Sequence, residues 1–254
     1  MANEKIIYRF PRYVEDHKGK KRRIHSFSKY KTSDETFHAD TFNLNKEELQ
    51  RKGFFTKDKH RLCIHRATEH DQYRDLKRGP QTINNKDIGL FITHVPITKK
   101  STVLEIGVGS GKATMLLSSI AKKVDSYDVS KKNINIAKKN IESIGKNNVT
   151  FYNHEAKAKE QYKENTYDAA LIDVPTPHHA IQTVLKAVKN GGIIAFYTLH
   201  TTQFKQLYEH APKKLRHQKT VNLQPIEWKV DEGLRPKTTQ IIHTGFLSFY
   251  RRIS

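Results

Sequence analysis

The chain has 254 residues, 36% hydrophobic and 28% charged, with 46 Lys and Arg against 26 Asp and Glu. That length holds one large domain or two, and a net charge of +20 favours a polyanionic partner. A single cysteine, Cys63, excludes an internal disulfide and a thiolate cluster for zinc. No apolar run is long enough to span a bilayer or to form a signal-peptide core, so the expectation is a soluble, cytoplasmic protein without a membrane partner.

Residues 1–78 read as a small β-rich, barrel-like domain. Short strand-like runs such as "KIIYRF" (5–10) and "RLCIH" (61–65) are separated by charged turns, and long helical periodicity is absent. The densest basic run, "KGKKRR" (18–23), suits either a solvated hairpin tip or contact with phosphates.

Residues 79–254 form a second domain with strand–helix alternation. Strands are predicted at 102–106, 124–128, 149–152, 167–172 and 193–198. Over 131–144, Ile134, Ala137, Ile141 and Ile144 make one apolar helical face with lysines opposite. A second helix is predicted over 178–189, stopped by Asn190-Gly191-Gly192, and "TGFLSFYRR" suits a closing antiparallel hairpin. Repeated βα units imply an α/β fold with a parallel, doubly wound, Rossmann-like sheet.

The first strand runs into "LEIGVGSGK" (104–112). A phosphate-binding loop of the Walker type would need Gly where Ile106 stands and Ser or Thr where Ala113 stands. A dinucleotide fingerprint would need its third glycine at Lys112. A ligand with a cationic amino-acid end fits better. Glu105 at the mouth of the strand suits an ammonium group, Asp128 at the end of the next strand can accept two ribose hydroxyls, and Glu155 after the third can meet an adenine amino group. Glycines, ammonium, ribose and adenine together describe S-adenosylmethionine, and strand C-termini are the ligand edge of such a sheet.

The fourth strand ends in "LIDVPTP", with Asp173 beside the expected methyl position. Methyltransferases acting on exocyclic amines often carry Asp/Asn-Pro-Pro and an aromatic. Val174 and Thr176 depart from that pattern, so a ring nitrogen is the better target. For N1 of adenine, the neighbouring amino group would donate to the carboxylate, more strongly as the ring becomes cationic. The alternative role for Asp173 is a helix cap. His178-His179 has no third ligand at a convincing spacing and is read as a helix start, not a metal site.

At this point the sequence resembles the tRNA (adenine-N1) methyltransferases that act on the T-loop. The likeness runs through "RGPQTINNKD" (78–87), the glycine loop, "SYDVSKKN" (126–133), "IDVP", "TLHTTQ" (198–203), "EWKV" (227–230) and "HTGFLSF" (243–249). The resemblance implies a small N-terminal β domain, a class I methyltransferase domain, a homotetramer, tRNA as substrate, and methylation at adenine 58, with archaeal relatives also acting at adenine 57. It further implies that Gly107, Gly109, Ser110 and Gly111 wrap the methionine end near Glu105, and that Asp128 and Asn133 lie at the ribose. Glu155 would read the adenine, Gln81 would close over the cofactor, and Asp173 would be the catalytic carboxylate. Two departures are Asn84-Asn85, where an aromatic or His-Pro pair is common, and His154-Glu155, where Gly-Asp is usual. Two rival readings remain: a methyltransferase with another RNA or protein target, and a non-catalytic RNA-binding subunit.

Overall fold

The computed structural model describes residues 4–69, 71, 76–77, 79, 83–155, 162–230, 233–240 and 243–254. It divides into two units, Met1–Asp75 and Leu76–Ser254; the sequence reading placed the division after residue 78.

In the first unit, β1 (Lys5–Arg9), β4 (Ser28–Thr32), β7 (Gly53–Lys57) and β8 (His60–Arg66) form an antiparallel sheet of order β4-β1-β8-β7. Two hairpins accompany it, β2 (Arg12–Glu15) with β3 (Lys21–His25) and β5 (Phe37–Ala39) with β6 (Phe42–Leu44). Successive strand residues face opposite sides. Ile7, Leu62 and Ile64 therefore share one face, buried with Phe42, Leu44 and Leu49. The KGKKRR run is the β2–β3 turn and the start of β3; Asp16 Oδ1 accepts from the Lys18 and Lys20 amides and so shapes that turn.

The second unit opens with α1 (Asn85–His94), capped by Asn84, whose side chain accepts from the Lys86 amide. There follow β9 (Thr102–Ile106), α2 (Lys112–Ile120), β10 (Lys123–Asp128), α3 (Lys131–Ser143), β11 (Val149–Asn153) and β12 (Tyr167–Ile172). After a 3-10 turn at Pro177–Ala180 come α4 (Ile181–Ala187), β13 (Val188–Thr198), α5 (Thr201–His210) and β14 (Leu215–Val221). The short pair β15 (Trp228–Lys229) and β16 (Arg235–Pro236) precedes β17 (Phe246–Arg252). The main sheet has the order β11-β10-β9-β12-β13-β17-β14. β11 through β13 are parallel, and β17 runs against both of its neighbours. Apolar layers cover both faces, one around Leu104, Ile106 and Phe196, the other around Val103, Phe91 and Leu117.

The five predicted strands are present, but one boundary moves. Asn190-Gly191-Gly192 does not stop a helix; it lies inside β13, where the pairing with β12 jumps from Tyr167↔Val188 to Ala169↔Ile193. Gly191 has φ +83°, and a Cβ on Gly192 would sit 2.5 Å from Val188 and 2.9 Å from the Asp168 carbonyl. The glycines thus serve a bulge, not a cap. No helix among the described residues is long and apolar enough to cross a membrane.

Candidate active site

The strand order reverses between β9 and β12, and the crevice at their C-terminal ends is where an open α/β sheet binds ligands. A cavity of about 550 Å³ opens there, lined by Gly107, Gly109, Asp128, Asn133, Glu155 and Asp173 among others. Six of the ten residues singled out from the sequence therefore meet in one place. Gln81 lies outside the described residues.

The glycine loop is shaped by what presses on it. Gly107 has φ +94°, and a Cβ there would lie 1.8 Å from the Asp173 carbonyl oxygen. The loop and the end of β12 touch backbone to backbone, helped by the Asp173 amide donating to Ile106 O at 2.8 Å. Gly111, φ +81°, would bring a Cβ to 2.9 Å from that of Ala137 on α3. Gly111 and Ser110 stand behind the cavity wall. Ser110 is 5% exposed, and its carbonyl accepts from Asn140 at 2.8 Å.

Asp128 is buried and well held. Its Oδ2 accepts from the Gly109 amide at 3.1 Å, its Oδ1 from the Ser130 amide at 2.8 Å, and Asn133 Nδ2 reaches both oxygens at 3.3 Å. One carboxylate thus fixes the glycine loop and the start of α3 while lining the cavity. Glu155 is exposed at the cavity edge.

Glu105 is placed differently from the sequence expectation. Alternation along β9 puts it on the face of Val103, and it does not line the cavity. It is 1% exposed; Oε2 accepts from Thr114 and Ser126, both at 2.6 Å, and the buried Oε1 has no partner. Burial, against those two hydrogen bonds and with Asp173 and Asp128 adding to it, pushes its carboxyl up to about 7. The unpartnered oxygen is an acceptor in search of a donor behind the loop.

Asp173 is half-buried and faces the cavity. Burial, with the Asp128 carboxylate adding to it, pushes it up to about 7. It caps no helix, since the 3-10 turn begins at Pro177 after Thr176. His178 and His179 do stand in that first turn, and His179 lines the cavity. The His178 ring lies 4.3 Å from that of His179 and 5.1 Å from that of His210. Among the described residues no group of three His, Cys, Asp or Glu is placed to hold a metal ion.

Sequence reasoning missed much of the apolar lining: Ile83, Tyr127 and Val129. Val129, directly after Asp128, is 66% exposed at the cavity. An apolar residue following a strand-terminal acid was the available signal. Four of the quoted motifs also meet in space, in two pairs. Gln203 of TLHTTQ donates to the Pro175 carbonyl of IDVP at 2.9 Å while its Oε1 accepts from the Leu199 and His200 amides. Thr244 of HTGFLSF donates to Asp87 of RGPQTINNKD at 2.5 Å, and Tyr197 donates to the Thr244 carbonyl at 2.7 Å.

Residues 97–239 match the family model described as "Methyltransferase domain". The chain is 27% identical over 226 residues to a tRNA (adenine(57)-N(1)/adenine(58)-N(1))-methyltransferase TrmI of Methanocaldococcus jannaschii, covering 76% of this chain and 79% of the relative. It is 28% identical over 198 residues to a tRNA (adenine(58)-N(1))-methyltransferase TrmI of Thermus thermophilus, covering 75% and 77%. The crystal structure of a tRNA methyltransferase TrmI from Aquifex aeolicus has the same fold, with TM-score 0.77 at 22% identity over 100% of this chain and 98% of the other. The family-model match spans more than half of the sequence: this chain belongs to the methyltransferase-domain family.

Proposed function

We propose that the chain transfers a methyl group from S-adenosylmethionine to N1 of a T-loop adenine in tRNA, at position 58, with 57 as a second candidate. The observation that carries the reading is Asp173, whose side chain lines the cavity while its backbone carbonyl lies against Gly107 of the glycine loop at the switch point of the sheet. The sequence resemblance and the TrmI relatives supply the substrate.

The cavity suits the cofactor. Gly107 and Gly109 present bare backbone at its wall, Asp128 and Asn133 offer oxygens and an amide, and Glu155 stands at the edge. In this reading Val129 and Ile83 give apolar cover to the adenine ring. Glu105 acts from behind the loop, holding Thr114 and Ser126 and leaving one oxygen for an ammonium group or a water bridging to it. S-adenosylmethionine supplies the electrophilic methyl. Asp173 accepts the target adenine's amino hydrogen bond, and its charge opposes the positive charge that grows on the ring. A carboxyl near 7 is partly protonated at neutral pH; a cationic cofactor favours its ionised form.

Extruding a T-loop base costs roughly a few kcal/mol. The basic N-terminal unit and the lysines of α3 offset that by binding phosphates. The resemblance also carries a homotetramer, and the sequence reading a cytoplasmic site of action. Nucleoside mapping of a tRNA methylated by the pure protein tests the reading: N1-methyladenosine in the T-loop is expected, and methylation elsewhere, or none, rejects it. Sedimentation tests the tetramer.

A further inference from the structure

The second face of the N-terminal sheet has no role in the chemistry above; it is covered at Ile6, 1% exposed, but opens to solvent toward Phe27 and Phe54. Opposite the buried Ile7 face, one register line crosses all four strands as Lys29, Tyr8, Cys63 and Phe54. Around it the rings join into a continuous cluster. Tyr8 lies 5.4 Å from both Phe27 and His65, and Phe10 lies 5.5 Å from Phe27 and 5.1 Å from Phe54. Phe27 is 51% exposed and Phe54 58%. Such rings would ordinarily be buried, since their apolar area is worth far more out of water.

Cations are interleaved with the rings. The Arg61 guanidinium stands 4.4 Å from the centre of Phe54 and 6.0 Å from that of Phe10; the Lys29 ammonium, 5.9 Å from Tyr8, is already ion-paired with Asp71 at 2.5 Å, so Arg61 and the hairpin carry the charge open to a ligand. Phe10 and Phe27 flank the β2–β3 hairpin in sequence, and that hairpin carries KGKKRR with Tyr13 exposed beside it. Exposed aromatic rings, cations stacked on them and an adjoining basic run together match one kind of ligand: a strand with flat π-faces and a charged backbone. An apolar protein partner would account for the rings but not for the cations.

We propose that this face stacks unpaired bases of an RNA while the basic hairpin takes the adjoining phosphates. The inference rests on RNA being the substrate, as argued above, and adds that part of the substrate is held single-stranded on the N-terminal unit.

The full chain is titrated with three fluorescent probes of equal length: a single-stranded oligouridine, its abasic ribose-phosphate analogue, and an RNA duplex. None offers an unpaired adenine to the cavity. Oligouridine is expected to bind about tenfold or more tighter than the abasic chain. Phe27→Leu with Phe54→Leu, which keeps apolar area at two exposed positions, should erase that difference without changing the salt slope set by phosphate contacts. A melting curve checks that the variant is folded. Equal binding of oligouridine and the abasic chain, or undiminished binding by the variant, overturns the proposal. So does a variant that sediments as a smaller species with unchanged RNA binding, which would assign the face to contact between copies. Failure to methylate tRNA would reject the catalytic reading and leave the oligouridine comparison standing.

Discussion

At the ends of β10, β11 and β12, Asp128, Glu155 and Asp173 gather around one cavity, in a chain whose net charge is +20. On the N-terminal sheet the reverse holds: Arg61 stands over Phe54, and the hairpin beside them is the densest basic run of the sequence. The contrast teaches that net charge describes the surface as a whole and misdescribes the site. A cavity for a small cationic molecule gathers carboxylates, and at Asp173, which lines it, burial pushes the carboxyl up to about 7. A surface for a polyanion needs cations left in water, where they are cheap to keep and release counterions on binding.

The sharpest way to break this division is at Asp173. Asp173→Ala should lower single-turnover methyl transfer by ~10²–10³ while cofactor binding, followed by calorimetry, stays close to normal. Asp173→Asn keeps an acceptor without the charge and should fall between. A normal rate in the alanine variant would move the chemistry away from the acidic cavity. Next in size is Gly107→Ala. Its Cβ would collide with the Asp173 carbonyl from a left-handed backbone, so a loss of about 3 kcal/mol in thermal or denaturant unfolding is expected, together with loss of cofactor binding. An unperturbed variant would show the two backbones to be less closely joined than described.

The pH dependence sharpens the same contrast. Glu105 and Asp173 hold protons in the folded chain up to about 7, whereas their ordinary values are 4.5 and 3.8. The unfolded chain releases those protons first, so their contribution to stability is complete below the ordinary values and is lost as pH rises through about 7. Without added cofactor, the melting temperature should fall over that window, and less steeply in Glu105→Gln. Transfer should rise with pH over the same window as Asp173 ionises, and Asp173→Asn should flatten that rise. The smallest effect belongs to the basic region. Neutralising Lys20, Lys21, Arg22 and Arg23 together should reduce the slope of log affinity for tRNA against log salt by about 0.7–0.9 per lost phosphate contact. An unchanged slope would return the hairpin to a solvated tip.

The sheet was legible because β-branched runs such as TVLEI end in glycine or acid, a pattern that fixes strand, turn and ligand edge together. Asp128 and Asp173 were legible for the same reason. Glu105 was not, because its facing depends on register within β9 and on Thr114 and Ser126, which come from other elements. Asn190-Gly191-Gly192 looks like a helix stop locally, and only pairing with β12 makes it a bulge. Asn84-Asn85 departs from the family pattern in sequence; in the structure Asn84 caps α1. In the N-terminal unit, β character was readable from composition, but the meeting of Tyr8, Phe27, Phe54 and His65 depends on strand pairing that no local pattern encodes.

The reversed strand β17 has a consequence for how this chain is made. Its residues 246–252 lie between β13 and β14 and supply hydrogen bonds to both, and Phe249 and Tyr250 are each 1% exposed. While synthesis runs N- to C-terminally, β14 therefore emerges before it has a strand to join, and β13 waits with one edge open. The N-terminal sheet, whose pairings lie within residues 5–66, has no such delay. A nascent chain stalled short of residue 246 would expose an unpaired, apolar β13 edge, the kind of edge that recruits other strands. That edge closes only when β17 has been made and pairs with it, so until then β13 keeps an open, apolar side.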